Sequence, residues 1–366
     1  MGLKCGIIGI TNVGKTAIFN CISKNKAESS SFAFSTNKSN IGMIDVPDER
    51  LYKIDALIKS AKVIPAMVDI VDIPGLAKGS STGEGVGNKF LADIQQTDAI
   101  IHVLRCFDDE GLPHVEGSVN PVRDMEIIDL ELQVRDLDLV QRKIQRLEKL
   151  AKSGDKDAKR QIGVLENLAA HLEDFQNVRD FTVSPDDKKL IIDDMFLLTE
   201  KPIMYVCNVD DGSAAVGNHY VEEVKEALKG QDTQIIVIAG KLEAEIAELE
   251  NEEDRMEFLK DAGLTEPGVN KMITTAYDLL NLQSFFTAGP KEVRAWTIKK
   301  GMAAPAASGV IHSDLERGFI RAEVMKYNDF MEYGSENAVK EAGKFHVEGK
   351  NYIVEDGDIL HIRFNV

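Results

Sequence analysis

A chain of 366 residues, 43% apolar and 28% charged, can bury a sizeable core and should divide into two or three domains. Its formal net charge of −18 excludes a general coat for nucleic acid, because repulsion from phosphates would act at long range, but it leaves a local basic contact surface open. No run approaches the length of a membrane span, and the four cysteines (Cys5, Cys21, Cys106, Cys207) show no Cys-x-x-Cys spacing, so reduced, buried thiols in a soluble cytoplasmic protein are expected.

The first element is LKCGIIGI (Leu3–Ile10), a short apolar run that reads as a buried strand entering a glycine loop. That loop, GITNVGKT (Gly9–Thr16), fits G-x-x-x-x-G-K-[ST] and leads into a helix beginning near Ala17, the context the motif requires. Backbone N–H groups along Asn12, Val13, Gly14, Lys15, Thr16 and Ala17 would cradle phosphate oxygens. Lys15 would reach the β- and γ-phosphates and the Thr16 hydroxyl would ligate Mg²⁺. Asn12 either shapes the loop or helps to hold a monovalent cation such as K⁺ beside the phosphates.

The polar stretch FAFSTNKSN (Phe32–Asn40) follows, with Thr36 as the second hydroxyl ligand expected on magnesium. The next apolar run, AMVDIVDIPG (Ala66–Gly75), has the Asp-x-x-Gly spacing of a GTPase-type switch: Asp72 for the metal and the Gly75 N–H for the γ-phosphate. Leu76 then stands where small GTPases carry a water-orienting glutamine, and leucine can neither donate nor accept a hydrogen bond. Another group must place the water. His114, in the loop CFDDEGLPHVEG after the strand AIIHVLRCF (Ala99–Phe107), is the candidate; the competing reading is an ordinary surface histidine.

From about Asp124 to Leu198 the strand spacing is interrupted by two long helical patterns joined by SGD (Ser153–Asp155), an antiparallel helical arm inserted in the sheet domain. Gln141–Arg160 carries eight Lys or Arg against three acidic residues, so Arg142, Lys143, Arg146 and Lys149 form either a solvated helix face or a contact for RNA phosphates. The strands PIMYVCNV (Pro202–Val209) and QIIVIAG (Gln234–Gly240) complete a mostly parallel α/β sheet. Beyond Leu279, short alternating strands indicate a small α+β domain. From Pro290 onward that domain is close to neutral, at −1, which leaves −17 in the preceding body and suggests a separate binding task.

These motifs together resemble the Obg-like ATPases, the YchF family of P-loop NTPases. The longest matching blocks are DIPGLAKGSSTGEGVGNKFL and LLNLQSFFTAGPKEVRAWTI, and the resemblance runs along essentially the whole chain. It implies a G domain in two parts (1–123 and 200–280), an inserted coiled-coil arm (124–199) and a C-terminal β-grasp TGS domain (281–366). It also implies slow, magnesium-dependent hydrolysis with ATP preferred to GTP, and association with ribosomes through the arm tip and the TGS domain. Thr16-Ala17 departs from the usual Ser-Thr, so an α-phosphate hydroxyl contact is lost and nucleotide affinity should be lower.

The base is less determined. CNVDD (Cys207–Asp211) occupies the place of a guanine-reading Asn-Lys-x-Asp loop, with Asn208 to bond the purine and Val209 in place of the lysine. Asp211 can accept from guanine N1–H and N2–H₂, whereas the family commonly has glutamate there. Ala239 and Gly240 lie in a loop that faintly resembles a base-edge loop. Dual recognition with ATP favoured is the expectation.

Overall fold

The computed structural model describes residues 3–24, 40–74, 86–249 and 251–365. By internal packing the chain forms two units. One takes in the chain up to Gly42 and Asp69–Met272, and the other Met43–Val68 and the chain from Ile273 onward.

The first sheet has the order β2-β4-β1-β5-β6-β7, from β1 (Lys4–Ile8), β2 (Asn40–Asp45), β4 (Met67–Asp72), β5 (Ala99–Cys106), β6 (Ile203–Val209) and β7 (Gln234–Ile238). The pairs β1–β4, β1–β5, β5–β6 and β6–β7 are all parallel. Every residue of β5 and of β6 is buried, which is why these strands read as continuous apolar runs rather than alternating ones. Helix α1 (Lys15–Lys24) leaves β1 through the glycine loop, and α3 (Val86–Gln95) leads into β5.

The arm starts slightly earlier than the expected Asp124. Helix α4 runs Pro121–Lys152, with Asn120 as N-cap accepting from the Arg123 N–H and proline in the first turn. Helix α5 (Lys156–Glu173) returns antiparallel, capped by Asp155, whose carboxylate accepts from the N–H groups of Asp157 and Ala158. Thirty-two residues make α4 about 48 Å long. Val140, Leu165, Leu168 and Leu172 hold the two helices together with Ile191 and Ile192 of the return segment. Midway along α4 the buried Asp136 carboxylate accepts from the Leu198 and Thr199 N–H groups at 2.7 and 2.8 Å and from the Thr199 hydroxyl at 2.7 Å. Those bonds fix the chain as it re-enters β6.

The second unit is built on the sheet β11-β10-β12-β8-β9-β3, from β3 (Val63–Ile64), β8 (Leu282–Ala288), β9 (Val293–Lys299), β10 (Phe319–Met325), β11 (His346–Glu348) and β12 (Ile359–Phe364). Hairpin pairing of β8 with β9, antiparallel β10–β12 and parallel β12–β8 give the β-grasp arrangement. Phe285, Ile298, Val324, Leu360 and Ile362 pack its core with Ala304 and Ala307 of the helix Ala304–Ile311.

Residues 43–68 depart from the expected domain division. They were expected in the first part of the G domain, yet they pack with the second unit. β3 pairs parallel with β9, and in α2 (Glu49–Ile58) Arg50 binds Asp356 at 2.7 Å and lies 5.4 Å from the Phe286 ring centroid. A two-residue strand carries no periodicity, and α2 is an ordinary amphipathic helix, so nothing local announced the partner. Likewise the second unit begins inside the helix Gly268–Leu279 rather than at a linker.

Candidate nucleotide-binding site

The loop from β1 to α1 owes its shape to two glycines. Gly14 has φ +94°, and a Cβ there would lie 2.2 Å from the Asn208 amide nitrogen. Gly9, at φ +152°, would meet the Val103 carbonyl at 2.5 Å. A side chain at either position is therefore excluded by both backbone and space. Asn12, at φ 64°, sits in the left-handed region that asparagine tolerates.

Lys15 is buried, and its ammonium donates to the Gly9 and Ile10 carbonyls at 3.0 and 2.8 Å, which leaves one N–H for a ligand. Burial pulls its pKa down from an ordinary 10.5 to about 8, against an opposing pull from Asp72. Asp72 ends β4 and faces the same loop: the Thr16 hydroxyl lies 3.5 Å from its Oδ2. Its Oδ1 is buried with no partner among the described residues. Burial raises the Asp72 pKa, opposed by Lys15 and by the Thr16 hydroxyl. An orphaned carboxylate oxygen beside a hydroxyl and a phosphate loop is a hard-oxygen donor set that fits Mg²⁺. Thr16 and Asp72 would hold that ion, and it would neutralise phosphate charge there. Thr36 and Gly75, the other expected magnesium and phosphate residues, lie outside the described residues, as does Leu76.

Asn208 does more than the sequence suggested. Its amide donates to the Val13 carbonyl at 2.8 Å and its Oδ1 accepts the Gly240 N–H at 2.9 Å, so one buried side chain ties the phosphate loop to the loop after β7. Ala239 is buried beside it. Val209, in the place of a base-covering lysine, is only 3% exposed at the last position of β6 and offers a base little surface. Asp211 is accessible and lies 3.7 Å from the Lys241 ammonium.

His114 is not a surface histidine. Its side chain is buried, with Nε2 2.9 Å from the Asp124 carboxylate and Nδ1 accepting the Glu116 N–H at 3.1 Å. Both ring nitrogens are occupied, so the expected water-positioning role cannot be exercised in this arrangement. Two residues that anchor this loop from its flanking elements escaped notice in the sequence. Arg105, buried within an apolar strand, donates to the carbonyls of Phe107, Leu112 and Asp109. Asp124 receives the histidine. A lone arginine in an otherwise apolar run was the available signal for the first; a ten-residue spacing offered none for the second.

A phosphate loop after the first strand and an aspartate facing it from the end of a neighbouring parallel strand define a P-loop nucleoside triphosphatase with the GTPase fold. Family models match on both parts of the chain. A 50S ribosome-binding GTPase model covers residues 4–167, and the YchF GTPase C-terminal model, described only as a protein of unknown function, covers 282–365. Curated proteins called ribosome-binding ATPase YchF from Haemophilus ducreyi and Escherichia coli O157:H7 are 48% and 46% identical over 366 residues, all of each chain. The solved YchF GTPase of Schizosaccharomyces pombe is 35% identical, with a TM-score of 0.88 over 99% of this chain and 98% of that one. The chain belongs to the YchF family.

Proposed function

We propose that this protein is a magnesium-dependent nucleoside triphosphatase that favours ATP over GTP, turns over slowly alone, and acts on the ribosome in the cytoplasm. The buried Asp72 oxygen beside Lys15 and Thr16, without a partner among the described residues, carries the nucleotide and metal part of this reading. Slow turnover follows from His114, the group best suited to orient water, having both nitrogens engaged. The Asn12 amide nitrogen is taken by the Pro113 carbonyl at 3.2 Å, which leaves its oxygen to serve a potassium ion.

ATP is favoured because no lysine stem covers the base at Val209, and because Asp211, the guanine-reading carboxylate, has Lys241 as a neighbour. Competition between ATP and GTP for a fluorescent nucleotide should give tighter ATP binding. Tenfold tighter GTP would overturn the assignment, since one bidentate base contact is worth about 1–3 kcal/mol.

The relatives' printed name supports ribosome binding here. Of the four basic arm residues expected to meet RNA, Arg142 pairs with Asp138 and Lys143 with Asp194, both some ten residues short of the turn. Arg146 and Lys149 are exposed. Reversing the latter pair to glutamate should weaken ribosome co-sedimentation about tenfold or more and flatten its salt dependence, while the same change at Arg142 and Lys143 should cost less. Equal losses from the two pairs would remove the distinction. The β-grasp unit would supply the second contact.

A further inference from the structure

We infer that Asp124, in the first turn of the arm helix, is a positioning residue that stores His114 away from the phosphates, so that the arm root restrains the basal rate. The inference rests on the reading that His114 orients the attacking water. It adds the group that withholds the histidine and the element that could release it.

The tautomer follows from the contacts. Nδ1 accepts the Glu116 N–H at 3.1 Å and so carries no proton; Arg123 Nη2 approaches the same nitrogen at 3.5 Å, again as a donor. The ring proton is then on Nε2, donated to Asp124 Oδ2 at 2.9 Å. A neutral imidazole with its lone pair and its N–H both spent can neither accept from nor donate to a water. The other carboxylate oxygen is held equally firmly, since Arg123 Nε and Nη2 donate to Oδ1 at 3.2 and 2.9 Å. Arg123 also donates to the Ser118 carbonyl at 2.6 Å, which closes the loop upon the helix. The Asp124 side chain is only 1% exposed, so these bonds form in a poorly screened setting where they hold best.

The loop that carries the ring touches the phosphate loop. Pro113, the preceding residue, has its carbonyl 3.2 Å from the amide nitrogen of Asn12 within the phosphate loop. Arg105 pins the loop at Phe107, Asp109 and Leu112. The loop is thus moored to the phosphate side through Asn12 and to the arm through Asp124. Releasing the second mooring frees the ring without dissolving the first. Asp124 belongs to the same uninterrupted helix as Arg146 and Lys149, so a load on the outer arm is transmitted to its first turn. A two-position histidine, biased from the arm, is the bistable element such coupling requires.

Asp124→Asn is the decisive variant. It keeps the shape, but an amide that accepts from Nε2 must turn its NH₂ toward the Arg123 guanidinium, so the latch is mismatched whichever way it faces. Turnover without ribosomes should rise about fivefold to tenfold with ATP affinity unchanged, the shift expected on weakening one charge-assisted hydrogen bond. Arg123→Gln, at a partly exposed side chain, should raise it less. Imidazole ¹⁵N NMR should show the His114 tautomer becoming mixed in both variants, and combining either with H114A should abolish the rise. If H114A lowers turnover while D124N and R123Q show no increase, the latch is wrong although the histidine still acts. If H114A alone leaves turnover unchanged, the water-positioning reading falls, and the latch with it.

Discussion

Lys15→Ala should lower ATP turnover by about 10²–10³-fold, the size of effect seen when one preorganised donor to developing charge is removed. The ammonium is held by the Gly9 and Ile10 carbonyls with a single N–H left over, so its position is set before any nucleotide arrives. Alanine reaches neither the loop carbonyls nor a phosphate. The fold itself should tolerate the change, because burying a charged lysine opposes folding. Its pKa falls to about 8 from an ordinary 10.5, so between those values the unfolded chain binds more protons than the folded one. Stability should therefore gain a contribution that rises with pH across that window in the parent and is missing in Lys15→Ala. Urea titrations at pH 7.5 and 10 test this directly, and nucleotide binding at pH 7.5 provides the functional half. A variant that lost stability at neutral pH and still bound ATP would reverse the assignment: Lys15 would be scaffold rather than phosphate ligand.

What the sequence disclosed and what it hid follow from how far each feature reaches along the chain. Gly9, Gly14, Lys15 and Thr16 act through a few consecutive residues, so their spacing alone revealed the loop. The buried strands β5 and β6 were legible because full burial leaves an unbroken apolar run. The arm start was displaced by three residues although the Asn120–Pro121 cap, which marks it, was there to read. Long-range polar pairings were invisible. Arg50 with Asp356 joins residues 306 apart in the chain, and Asn208 with Val13 joins residues 195 apart, and neither leaves a periodic trace. The burial of His114 was hidden for the same reason, since it depends on a carboxylate one element away.

Asn208→Ala should be the costliest single substitution in the base-side loops, because it damages stability and binding together. The side chain gives its N–H to the Val13 carbonyl and takes the Gly240 N–H, both inside a buried junction. Alanine strands those two backbone groups, at about 1–3 kcal/mol each, so a loss of several kcal/mol from the unfolding free energy is expected. Nucleotide affinity should fall further than stability alone explains, since the phosphate loop loses the contact that fixes Val13 next to Gly14. Asn208→Asp separates the two halves of the bond. Its carboxylate can still accept from Gly240 but meets the Val13 carbonyl with negative charge instead of a donor, in a place where water cannot screen it. It should therefore be at least as destabilising as alanine at neutral pH and should recover as pH falls and the carboxyl protonates. Equilibrium unfolding at pH 5 and pH 8 distinguishes these outcomes: a pH-independent Asn208→Asp would mean that the Val13 bond contributes little, and that the Gly240 bond alone holds the loops together.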